Sequence, residues 1–205
     1  MIVPTRAELE RKKQLILEHE TIFANQIGSA VFEKPRVNLW MILLPILFLH
    51  LIYRMQKYKE GRMKFNEDFM ITRRRAMNAA VEAAAGGRHD IEGITRQADL
   101  AEPLAAPYES WVGALVEYYM DLLAADGESF ESLVRAAFGS SSNYLLSLNR
   151  LSMAERKFYS ALKPRMAETE GATAIISTIE ERSHQLRREL ADKIFASKSR
   201  ESGLD

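Results

Sequence analysis

Seventeen consecutive residues without a formal charge, Val37 to Tyr53, constrain this chain more than any other feature. As a helix the run measures about 26 Å, slightly less than a ~30 Å hydrocarbon core. Eleven of its residues are Leu, Ile, Val or Phe. At roughly −0.3 to −0.6 kcal/mol each, they favour insertion by about 3 to 7 kcal/mol. Asn38 and His50 oppose insertion, but both lie near the ends of the run, where the penalty shrinks. Trp40 and Tyr53 stand where interfacial aromatics belong, and Arg54 can snorkel to the headgroups. The run starts too late for a cleaved leader, and no small-residue cleavage site follows it. A buried helix in a soluble protein is the competing reading. It needs a completely central seat, because the run is apolar on every side.

Pro45 divides the membrane reading in two. In a spanning helix it removes one backbone hydrogen bond, which membrane helices tolerate. Alternatively it is the apex of a shallow re-entrant hairpin with arms of about 12 Å. A single span is the favoured form. The twenty residues before Val37 carry two bases, and the twenty after Tyr53 carry six. The positive-inside rule then places the C-terminal part in the cytoplasm and residues 1–36 outside, whereas the hairpin leaves both parts in the cytoplasm.

The rest of the chain reads as helix. Thr5–Glu8 is a capping box opening an amphipathic segment within residues 1–36, with Leu9, Ile16, Phe23 and Ala30 at heptad spacing. After the anchor at 37–55 comes a basic juxtamembrane helix and linker, 56–107. Its face carries Tyr58, Phe65, Phe69, Thr72, Ala76 and Ala80, and it ends at "GGRHD". A helical bundle at 108–196 follows, then a polar tail at 197–205. Tyr108–Ala125 is apolar on most sides except for Glu117 and Asp121, which suits the bundle's central helix. Further helices are expected at Phe130–Phe138 and after "GSSSN". Another is expected from a capping box at Ser152–Glu155, and a last one from Thr173. That last helix carries Ile176, Ile179, Leu186, Leu190 and Ile194 on one face, suited to packing in its own bundle before any coiled-coil seam. The expected fold class is therefore all-α, a single hydrophobic membrane anchor followed by a cytoplasmic bundle.

Charge is balanced overall, with 28 basic and 28 acidic residues, but it is unevenly placed. Residues 54–88 hold nine bases against four acids, and residues 89–205 hold thirteen against nineteen. Lys57, Lys59, Arg62 and Lys64 lie close enough to the anchor to meet anionic headgroups, at about 1 kcal/mol each. Arg73, Arg74 and Arg75 stand about 28 Å from Arg54 along a straight helix, so they are better placed to meet the acidic bundle. A basic patch beside an apolar run answers to lipid before nucleic acid.

With no cysteine in the chain, thiolate metal sites and cysteine nucleophiles are excluded. Glu181 and His184 form Glu-x-x-His, the i,i+3 spacing of helical carboxylate-bridged metal sites, but such sites use two copies and only one is present. His19, between two glutamates, reads as a surface residue, and His89 as a loop residue. "GSSSN" lacks the last glycine of a nucleophile elbow, and no phosphate-cradling or dinucleotide motif occurs. No cofactor is expected. The sequence therefore points to a membrane-anchored module that binds another protein or a second copy, or to a subunit of a membrane complex. The alternative is a tethered metalloprotein using Glu181 and His184.

Overall fold

The computed structural model describes residues 5–32, 45–166 and 172–196, except for the side chains of 45–59. All regular structure among these residues is helical. The α-helices are α1 (Arg6–Val31), α2 (Pro45–Ala84), α3 (Ile91–Gln97), α4 (Glu102–Ala124), α5 (Phe130–Phe138), α6 (Ser141–Leu162) and α7 (Ala172–Ala196). A short 3₁₀ turn, Lys163–Met166, follows α6.

Several boundaries follow from local chemistry. Thr5 and Glu8 form the expected capping box, each side chain taking the other's backbone N–H. Ser129 and Ser132 do the same for α5. Gly139 ends α5 at φ 69°, a conformation that favours glycine, and Ser140 caps α6 through the Asn143 N–H. Gly86, at φ 87°, follows the end of α2.

Three expected boundaries fall elsewhere. The central helix begins at Glu102 and passes through Pro107. That proline forgoes only a bond to the carbonyl of the exposed Pro103. Ser152 and Glu155 open no helix, because both lie inside α6 and make contacts across the bundle. Thr173 is the second residue of α7 rather than its cap.

Five long helices close into a ring. In order around it, α1 packs on α2, α2 on α4, α4 on α6, α6 on α7, and α7 back on α1. The best-connected stave is α4, which meets α1, α2, α3, α5 and α6. One core runs through all five and includes Leu9, Ile16 and Ile27 of α1 with Leu115, Leu122, Leu151 and Ile194. Long polar side chains tie helices together near their ends. The Lys12 ammonium is buried and donates to the Leu123 carbonyl, and Arg135 donates to the Ile194 carbonyl. Glu117 and Asp121 face outward from α4, as expected.

In this packing α1 supplies a wall of the same core as α4, α6 and α7. A single crossing would put α1 on the far side of a membrane from the helices it packs against. Moreover, α1 and α2 run antiparallel: Asn66 donates to Asn25, and the Phe32 ring lies against Gly61, 2.9 Å from where a Cβ there would stand. Phe32 and Gly61 therefore lie side by side. The anchor itself falls largely outside the described residues. That is so for Trp40, while Pro45, His50, Tyr53, Arg54, Lys57 and Lys59 are described as helical backbone only. Among the described residues, no helix is long and apolar enough to cross a membrane.

Candidate functional site

A charged cluster sits in the middle of the ring, drawn from four of its five staves. Arg73 of α2 is only 1% exposed. Its Nε donates to Glu20 of α1 at 2.9 Å, and its Nη2 reaches Glu155 of α6 at 3.4 Å. Arg187 of α7 completes the quartet, donating to Glu155 and to the Ser152 hydroxyl, both at 2.8 Å. The Arg73 guanidinium lies 3.7 Å from the centre of the Phe69 ring, with Phe23 and Trp111 farther out. Two positive and two negative groups cancel, which is how buried ions persist in a core.

The neighbouring titrations follow from this arrangement. Burial alone would raise the Glu155 carboxyl, but the Arg187 and Arg73 guanidiniums overcome it and hold it below the ordinary carboxylate value. Burial likewise works against the Arg73 charge, and Glu20 and Glu155 more than restore it. Tyr118, Tyr119, Tyr144 and Tyr159 are pushed up, chiefly by burial, so all stay neutral. Tyr118 and Tyr144 share a hydroxyl contact of 3.3 Å, while the Tyr119 hydroxyl is buried beside Glu20 without a well-formed hydrogen bond.

His19 is not the surface residue its flanking glutamates suggest. Its ring stacks on Phe130 at 3.7 Å and 5°, and burial lowers its pKa. His19, Glu20, Arg73, Tyr118, Tyr144 and Arg187 surround a cavity of about 20 Å³. That volume suits one water molecule and no larger ligand. The cluster can hold charge, hydrogen-bond a water and fix the order of four helices, but it offers a substrate no room.

The other sequence-derived sites lie on the outside. Glu181 is exposed and His184 half-buried on the outer side of α7, in a shallow depression shared with Arg156, Ser160, Ser177 and Glu180. Among the described residues no group of three or more His, Cys, Asp or Glu side chains could hold a metal. His89 is exposed in the turn after α2. Of the bases expected to meet lipid, Lys64 is exposed and pairs with Asp68 at 3.2 Å, and Arg62 is half-buried at the α1–α2 seam beside Gly28. Of the three consecutive arginines, Arg73 meets acids of the bundle as expected, while Arg74 is exposed.

Comparison with protein-family models, curated proteins and solved structures finds no match.

Proposed function

We propose that this chain is a monotopic membrane protein, an apolar hairpin around Pro45 tethering one helical bundle that binds and positions another protein on the cytoplasmic side. The observation that carries this is the contact of Phe32 with Gly61, the two ends of the segment that contains the apolar run. Beyond Gly61, α2 continues through residues 60–45 for about 24 Å. The uncharged half-run Pro45–Tyr53 covers the outermost ~13 Å of it, a depth suited to one leaflet. Arg54, Lys57 and Lys59 then fall at headgroup level, with Lys64 about two turns below.

A binding role for the bundle is supported by its interior. The charges of the polar centre cancel, and its cavity has room for one water.

The test is protease accessibility of tags at both termini in sealed vesicles of known orientation. Both tags are expected on the cytoplasmic side, with the protein resisting alkaline carbonate. Tags on opposite faces would overturn the hairpin, and release by carbonate would overturn the anchor.

A further inference from the structure

The α4–α6 pair presents an open face on the outside of the ring. Ser110, Gly113, Ala114 and Glu117 of α4 line one side of a shallow groove, and Arg150, Met153 and Lys157 of α6 line the other. Met153 is 62% exposed, and Leu146, two turns away on the same side of α6, is 53% exposed. The two helices are antiparallel. Trp111 stacks on Phe158, and Tyr118 meets Tyr144, so Glu117 lies level with Arg150, and Gly113–Ala114 level with Met153. The groove thus has an acidic rim on α4, a basic rim on α6, and an apolar knob beside a hollow with little side chain in it. Asp121, one turn beyond Glu117, has its carboxyl held up by partial burial and then by repulsion from Glu117, with Arg150 only partly offsetting both.

We propose that a second copy of this chain docks on this face, about a two-fold axis running along the groove parallel to α4 and α6. Rotation about that axis lays α4 of the second copy over α6 of the first at the same level. Glu117 of each copy then faces Arg150 of the other, and Met153 of each enters the hollow at Gly113–Ala114 of the other. The surface is self-complementary, as a two-fold interface requires. An anionic membrane is the poorer occupant, because Glu117 and Asp121 would repel it. The proposal is independent of the hairpin.

The test is the mass of the full-length chain in detergent, by light scattering at about 100 μM, a concentration that populates a micromolar dimer. The wild type should be dimeric. Met153→Glu should weaken association by about tenfold or more, as expected for a central apolar contact. Glu117→Arg and Arg150→Glu should each be monomeric, because each sets like charges opposite one another twice. Mixing those two variants should restore dimers, since both cross-pairs then carry opposite charge. Unchanged thermal melting would show that the variants remain folded, as substitutions at these exposed positions should allow. A monomeric wild type would overturn the proposal. So would a dimer indifferent to all three substitutions, which would place the contact elsewhere. So would single variants that dissociate but fail to pair when mixed, which would break the two-fold geometry.

Discussion

Two stretches of this chain are apolar on nearly every side, and we propose different surroundings for them. One is the body of α4, which α1, α2, α3, α5 and α6 cover until only the side bearing Glu117 and Asp121 stays wet. The other is Val37–Tyr53, which carries no charge to mark a wet side and which lies between two neighbouring residues, Phe32 and Gly61. Uniform apolarity says that a segment must be covered; it does not say by what. Inside a closed ring of five helices the best-covered position is taken by α4, and under the hairpin proposal the second stretch would be covered by lipid.

The largest test of this contrast places charges in each stretch. Leu115→Asp puts an unpaired carboxylate at a fully buried position of α4 and should cost about 4 kcal/mol or more, abolishing cooperative melting. Leu47→Arg with Leu51→Arg should leave bundle melting within about 0.5 kcal/mol while removing carbonate resistance. If that pair unfolds the bundle as well, the two stretches are not different in kind.

Next in size, Arg73→Met strands the buried Glu20 carboxylate, leaves Glu155 to Arg187 alone, and should cost about 3–5 kcal/mol by urea denaturation. The neighbouring Arg74→Met, at an exposed position, should stay within about 0.5 kcal/mol. Equal effects would mean that the quartet is not buried as described.

Smaller effects come from pH. The folded His19 binds its proton less readily than the unfolded chain, whose histidine titrates near 6.5. Stability should therefore fall as pH drops through that value, by at most about 1.4 kcal/mol per unit, and His19→Phe should flatten this limb. Glu155 acts lower. Its folded pKa lies below 4.5, so its contribution is present above that value and is lost as pH falls through the folded one. That second limb should survive in His19→Phe and give the melting curve its acid edge.

The smallest expected effect is at the outer side of α7. Glu181→Ala and His184→Ala should each shift stability by less than about 0.5 kcal/mol and leave metal content unchanged by elemental analysis. Stoichiometric iron lost on His184→Ala would instead restore the metalloprotein reading.

Much of the fold was legible because its signals are local. The capping box at Thr5, the limits of α5 and the stop after α2 each depend on a few adjacent residues. Pro107 and Ser152–Glu155 misled because the same residue types that end or begin helices also serve inside them. The charge quartet was not legible as a unit, because its pairs are 53, 82 and 32 residues apart. A signal was nonetheless present. Glu20 falls in the apolar frame of Ile16, Phe23 and Ile27, and Arg73 in that of Phe69, Ala76 and Ala80. Glu155 follows Leu151 and precedes Phe158 and Tyr159, and Arg187 adjoins Leu186 and precedes Ala191. Two bases and two acids standing in apolar frames form a set that can close on itself.

The ring is closed by its first and last staves, α1 against α7, and this has a consequence for synthesis on the ribosome. Glu20, Arg73 and Glu155 emerge in that order, and together they carry an excess negative charge until Arg187 follows. A nascent chain paused before α7 therefore holds three staves with charges set in their apolar faces, and Arg73 can balance only one of the two carboxylates. The final helix acts as the clasp. Until it is made, the polypeptide has strong reason to stay open, and a truncation that removes α7 should leave a substrate for quality-control proteases rather than a smaller domain.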